Sequence, residues 1–169
     1  IRACMGYVIP FQQKDLTAKG HSIELRLYAE DPEANFFPTA GKLNHCLFSG
    51  MAQCRWDYTY ECENEISLLY DSMIGKLIVW DETRELAIRR AILALERLKL
   101  SGLDNNCDHL IYLLKSEVFQ SGKMTTTYIE DHPEAELEWG ELGEEEQAQY
   151  LAAYFLSELN FSDNKNLAE

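Results

Sequence analysis

Residues 20–43 read GHSIELRLYAEDPEANFFPTAGKL. From His21 to Ala29 the residues alternate, with Ile23, Leu25, Leu27 and Ala29 on one side and Glu24, Arg26 and Tyr28 on the other. A period of two marks a strand with one buried face, and it sets Glu24 and Arg26 on the same exposed side, close enough to pair. Pro32 ends the strand because it has no N–H to give to a ladder. The acids around it, Glu30, Asp31 and Glu33, are suited to accept from backbone donors at the turn. Asn35 to Gly41 is rich in turn residues and carries the Phe36-Phe37 pair.

Upstream, Pro10-Phe11 and the polar run Gln12 to Asp15 read as a connection into that strand. Downstream, the Leu, Ile, Val and aromatic content predicts further strands around Leu43–Phe48, Gln53–Tyr60 and Gly75–Trp80. A helix follows, capped by Thr83 or Asp81, with Ile88, Ala91, Ile92, Leu95 and Leu98 at helical spacing and Gly102 as its stop. Asn106 is placed to cap a second helix through Leu110, Leu113 and Leu114, and Thr125–Ile129 has strand character. Strands first and helices after imply an α+β fold, a mostly antiparallel sheet with helices packed on it. This domain is expected to occupy residues 1–130. Residues 131–169 read as a linker loaded with Glu134, Glu136, Glu138, Glu141 and Glu144 to Glu146, then an amphipathic helix over 144–159 striped by Ala148, Leu151, Ala152, Phe155 and Leu159.

Composition narrows the function classes. A chain of 169 residues, 46% hydrophobic and 11% aromatic, has the material for a packed core. Its formal charge of −14 opposes adhesion to nucleic acid or an anionic membrane, both of which need clustered Lys and Arg. No segment has the apolar length of a membrane span. Cys4, Cys46, Cys54, Cys62 and Cys107 are scattered and odd in number, which fits reduced thiols. His45 beside Cys46 is a poor match to structural zinc spacing, and no metal site is expected. A start at Ile1 with no Met suggests a fragment or a processed product.

The stretch 20–43 resembles the C-terminal domain of biotin carboxylase. Gly20-His21, Glu24, Arg26, Ala29-Glu30-Asp31-Pro32, Asn35-Phe36, Pro38 and Gly41-Lys42 fall in register with that family's signature, and the resemblance continues through Arg55, Asp57, Glu65-Ile66-Ser67, Tyr70-Asp71-Ser72-Met73-Ile74-Gly75-Lys76 and Arg84. It covers about residues 1–130. His21, Glu24, Arg26, Glu30 and Asp31 belong to the structural signature.

What the resemblance implies is an enzyme part. Biotin carboxylases use Mg-ATP to activate bicarbonate and then carboxylate biotin carried on a separate carrier domain. Anionic species pass through the site, so the chemistry calls for a fixed guanidinium. The resemblance gives Arg55 that catalytic role; on the bare sequence an Arg at a strand end paired with Asp57 is an equal reading. Tyr70, Asp71 and Lys76 are candidate substrate-binding residues, beside the plainer reading of a satisfied Tyr and a solvated Lys. Trp80 and Arg84 fall where family members form homodimers, though Trp80 also suits a core. ATP and Mg would be held mainly by an ATP-grasp portion of the same subunit, since no glycine-rich phosphate loop occurs here, and the chain alone is expected to be inactive. Implied partners are that portion, a biotin carboxyl carrier domain, a carboxyltransferase subunit and a second copy in a homo-oligomer, in the cytoplasm or, in a eukaryote, the mitochondrial matrix. The tail leans toward an acyl-CoA carboxylase α chain of the acetyl-, propionyl- or methylcrotonoyl-CoA type.

Four positions depart from the family pattern: Leu68-Leu69 where a Pro and an aromatic are usual, Cys54 in place of Val, and Asn105 in place of Thr. They leave open a second reading, a noncatalytic dimerisation or carrier-docking module.

Overall fold

The computed structural model describes residues 1–48 and 50–132. In chain order these hold β1 (His21–Tyr28), β2 (Glu30–Asp31), β3 (Phe37–Pro38), β4 (Gly41–Lys42), β5 (His45–Leu47), β6 (Cys54–Tyr58), β7 (Glu65–Ile66), β8 (Met73–Asp81), α1 (Arg84–Glu96), β9 (Lys99–Ser101), α2 (Cys107–Lys115), α3 (Glu117–Gln120) and α4 (Tyr128–Asp131). All four sheets are antiparallel: β1-β8-β6, and the pairs β2-β3, β4-β7 and β5-β9. The expected α+β architecture is therefore present. The predicted acidic linker beyond residue 132 and the helix over 144–159 lie outside the described residues.

The central sheet owes its register to the alternation read in the sequence. His21 stands opposite Asp81 and Leu27 opposite Gly75, with a shift between Leu27 and Tyr28; on the other side Cys54 faces Val79 and Tyr58 faces Gly75. A side chain at Gly75 would collide with β6, since its Cβ would stand 2.9 Å from both the Asp57 carbonyl oxygen and Tyr58 Cβ. Ile23, Leu25, Leu77 and Val79 point inward and pack on Ala87, Ile88, Ala91, Ala94 and Leu95 of α1 and on Leu114 of α2. The alanines let α1 lie close to the sheet, and Thr83 caps it by accepting from the Leu86 N–H at 3.3 Å. A second cluster, Leu27, Ala29, Leu43, Ile66, Ile74 and Leu98, fills the end where the small sheets gather. Each such buried aliphatic side chain contributes roughly 1.5–3 kcal/mol relative to exposure.

Three expectations are corrected. Helix α1 ends at Glu96 and not at Gly102, because the chain turns out to pair Leu100 with Cys46 and Lys99 with Leu47; Gly102, at φ +110°, follows that strand. Thr125–Ile129 is not a strand, for no partner strand stands beside it among the described residues, and Tyr128–Asp131 forms a helical turn in which Thr127 Oγ1 donates to Asp131 Oδ2 at 2.7 Å. Asn106 precedes α2 as predicted, but its side chain does not cap that helix.

Asn106 instead completes the open edge of β1. Its Oδ1 accepts from the Tyr28 N–H at 2.9 Å, its Nδ2 donates to the Arg26 carbonyl at 3.2 Å, and its own N–H donates to the Tyr28 carbonyl at 3.2 Å. A single buried amide thus substitutes for a neighbouring strand. Asn106→Ala leaves two backbone groups short of partners and should cost about 2–4 kcal/mol, read as a lower urea midpoint with an unchanged slope.

Candidate functional site

The outward side of the central sheet gathers Glu24, Arg26, Arg55, Asp57 and Lys76 of the polar residues singled out in the sequence. The register lines up Glu24, Ile78 and Arg55 in one row across β1, β8 and β6, and Arg26, Lys76 and Asp57 in the next. Because side chains alternate along each strand, these six share the face opposite the core. Two ion pairs run along the strands. Arg26 Nε lies 3.3 Å from Glu24 Oε1, as expected; Arg55 Nε lies 3.1 Å from Asp57 Oδ1, while its Nη2 donates to Asp57 Oδ2 at 3.1 Å.

Such exposed pairs add little stability, but the second one orients a cation. The Arg55 side chain is 70% exposed, and Asp57 engages at most two of its five N–H groups. The remaining donors face solvent in a fixed fork, which is the geometry that binds a carboxylate, bicarbonate or phosphate oxygen pair. Lys76 stands in register between Arg26 and Asp57 and forms no ion pair among the described residues.

The other candidates do not join this face. Tyr70 is 80% exposed in the turn before β8, beside Leu68 and Leu69, and Asp71 accepts from the Met73 N–H at 3.0 Å. Of the signature acids, Asp31 takes the expected capping role, accepting from the Glu33 N–H at 2.9 Å. Glu30 is half-buried near Asp71, and burial first, then that neighbouring charge, pushes its carboxyl up. His21 is exposed at the start of β1.

Trp80 and Arg84 are held by the chain itself. The Trp80 indole N–H donates to the Lys19 carbonyl at 3.0 Å, and its ring covers Gly20 so closely that a Cβ there would stand 2.6 Å from the ring and 2.4 Å from the Asp81 carbonyl oxygen. With φ at +70° as well, only glycine fits that signature position. Arg84 donates to the Phe119 and Gln120 carbonyls at the end of α3 and lies 4.9 Å over the Phe119 ring.

One functional support involves a residue read in the sequence only as a possible cap of the helix. Asp81, at the end of β8, is buried and accepts from Arg90 Nε at 2.9 Å and Nη2 at 2.6 Å, while Arg90 Nη1 donates to the Ala52 carbonyl at 2.9 Å. The pair ties the end of β8 to α1 and to the segment that leads into β6, and so fixes where Arg55 lies. Its signal was available: an Asp closing a strand, with an Arg nine residues on in a helix whose face packs on that strand.

Residues 24–131 match the family described as biotin carboxylase C-terminal domain. The chain belongs to that family. It is 39% identical over 130 residues to the biotin carboxylase of Haemophilus influenzae, covering 77% of this chain and 29% of that protein. It is 35% identical over 133 residues to the mitochondrial methylcrotonoyl-CoA carboxylase subunit alpha of Mus musculus, 78% of this chain and 18% of that one. Among solved structures, the biotin carboxylase domain dimer of the Hydrogenobacter thermophilus 2-oxoglutarate carboxylase, in complex with MgADP, ADP and bicarbonate, superposes with a TM-score of 0.76 at 35% identity over 82% of this chain and 31% of that one. The chain therefore spans less than a third of the length of these relatives. Among the described residues no group of three or more His, Cys, Asp or Glu side chains is placed to hold a metal ion, and no helix is long and apolar enough to cross a membrane.

The Asp81–Arg90 pair gives a pH test. Hydrogen bonds from Arg90, then from the Glu82 N–H, hold the Asp81 carboxyl below its ordinary range against the opposing effect of burial. Its contribution is therefore complete above the unfolded carboxylate range near ~4 and is lost as pH falls through the depressed value. Asp81→Asn should lower the thermal midpoint at pH 7 and narrow the gap between midpoints measured at pH 7 and pH 3.

Proposed function

We propose that this chain is the C-terminal part of a biotin carboxylase subunit, and that Arg55 is the residue through which it serves the reaction. The observation that carries this reading is the Arg55–Asp57 fork, a guanidinium oriented by a carboxylate and still 70% exposed, on the polar face of the central sheet. Mg-ATP and bicarbonate supply the activated carboxyl group, and carrier-borne biotin accepts it. Arg55 offers its unused N–H donors to the oxygens of those anions, which lowers the energy of negative charge developing near the sheet. Asp57 keeps the guanidinium from swinging along the strand. Lys76, one strand away in register with Asp57, adds a second positive charge to the same face. Tyr70 and Asp71, in the turn before β8 and off this face, are assigned as further substrate-binding residues.

The nucleotide and its magnesium are assigned mainly to an ATP-grasp portion of the same subunit, so the chain by itself is inactive. Further partners are the biotin carboxyl carrier domain, a carboxyltransferase subunit and a second copy of the subunit; the dimeric Hydrogenobacter domain supports the last of these. Trp80, 37% exposed, is the contact assigned to that dimer, with Arg84 bracing α1 behind it. The acceptor is assigned to the acyl-CoA class, and the setting to the cytoplasm or mitochondrial matrix.

The exposed apolar residues Val8, Leu69 and Tyr70, at 93%, 87% and 80% exposure, favour a second reading in which the chain is a docking module without catalytic duty. ATP-dependent carboxylation of free biotin separates the two. The chain combined with the ATP-grasp portion of its subunit should turn over where either piece alone does not. Arg55→Ala should then slow the mixture roughly 10²–10³-fold, the loss typical of one oxyanion-type donor, with no change in thermal midpoint. Undiminished turnover in that variant would return Arg55 to a surface ion pair.

A further inference from the structure

Of the chain's five cysteines, two meet. Cys46 lies in the middle of β5, and Cys62 is exposed in the turn between β6 and β7. The Cys62 Sγ accepts from the Cys46 N–H at 2.9 Å and donates to the Cys46 carbonyl at 3.1 Å. The contact is not made by a loose loop. On one side of Cys62 the Glu63 N–H donates to the Leu43 carbonyl at 2.7 Å and the Leu43 N–H to the Asn64 carbonyl at 2.9 Å, while Lys42 pairs with Glu63. A ladder of backbone bonds thus holds one thiol against the main chain of the other.

We propose that Cys46 and Cys62 are a reversible disulfide site, a staple that fastens the β6–β7 turn to β5 when the chain meets a low-molecular-weight disulfide. A sulfur lying 2.9 Å and 3.1 Å from its partner's own backbone nitrogen and carbonyl oxygen brings the two residues within reach of a bridge, which closes as the two side chains turn toward each other. With glutathione disulfide as oxidant, the exposed Cys62 thiolate attacks one sulfur, its S–S bond breaks, and the first glutathione leaves as a thiol carrying the Cys62 proton. Cys46 then attacks the Cys62 sulfur of the mixed disulfide; the second glutathione leaves with the Cys46 proton, and two electrons have passed from the cysteine pair to the oxidant. The order follows from access: Cys62 is exposed, whereas burial, then Cys62 itself, pushes the Cys46 thiol up to about 12, so Cys62 is the thiol that meets the oxidant first. Cys4, Cys54 and Cys107 serve as internal controls. Cys107 is held up to about 12 chiefly by burial, and none of the three bonds to another cysteine among the described residues.

The test is to incubate the full 169-residue chain, natively folded, with glutathione disulfide, block the remaining thiols, digest without reductant and map the peptides by mass spectrometry. The expected result is loss of two thiols, a cross-linked peptide pair carrying Cys46 and Cys62, reversal by dithiothreitol, and a thermal midpoint several degrees higher in the oxidised chain. Cys62→Ser, checked for folding by circular dichroism, should lose both the cross-link and that rise. Cys46 and Cys62 left free or stably glutathionylated in the unmutated chain would overturn the proposal. So would bridges made to Cys4, Cys54, Cys107 or a second molecule in its place.

Discussion

The rest of the structure depends on the pairing of β8 with both its neighbours. β1 and β6 do not touch each other; each takes its position from β8, which is nine residues long and buries Ile74, Leu77, Val79 and Asp81. A slip of one residue in either pairing would turn Leu77 and Val79 outward or carry Lys76 into the core, and the aliphatic faces of β1 and α1 would lose their partners. The core thereby enforces the arrangement of the opposite face. Arg55 reaches the polar side because Cys54 and Trp56 are needed on the other, and the charges of that side are placed by hydrophobic packing beneath them.

The same logic explains what could be read from the sequence. Alternation in 21–29 gave β1, its buried residues and the Glu24–Arg26 pair, since all follow from a period of two. Thr83 as the cap of α1 was equally local. The errors occur where a distant partner overrides a local preference. Leu98 fits the helical stripe of α1, yet it lies beyond that helix in the second cluster, just before a strand held by β5, some fifty residues earlier. Asn106 has the chemistry of a helix cap, and its amide is taken by β1, 78 and 80 residues away in sequence. Nothing near residue 106 announces an unpaired strand edge. At the candidate site the residues themselves were visible, but the order of Glu24, Arg26, Lys76, Arg55 and Asp57 on one face was not, because it depends on strand order and on two registers at once.

Charge shows a related contrast between the whole and the part. The chain carries a formal −14, while the outer face of the central sheet brings three cations, Arg26, Arg55 and Lys76, together with only two carboxylates, Glu24 and Asp57. A globally acidic protein repels anions only within about one Debye length of its surface, ~8–10 Å, and can still hold one where local donors are fixed. Over a few ångströms, oriented N–H groups outweigh the mean field, since they need no reorganisation when the anion arrives. This makes the Arg55–Asp57 fork more informative than the net charge about which small molecules the chain can meet.

The departures from the family pattern fall where this arrangement can absorb them. Cys54 lies on the inward side of β6, half-buried and packed against the central core; burial pushes its thiol up, so it behaves as a small apolar residue in the place of a valine. Asn105 accepts from the Cys107 N–H at 3.1 Å, a bond that a threonine hydroxyl at the start of a helix also makes. Leu68 and Leu69 lie in the surface turn, away from the rows of the sheet, where the Leu69 N–H donates to Ser67 Oγ at 3.1 Å. None of these four replaces a residue on the polar face, and none alters the register that sets Arg55 there. The variation bears instead on the turn that carries Tyr70, where two exposed leucines change the surface offered to a partner while the fork of Arg55 and Asp57 stays intact.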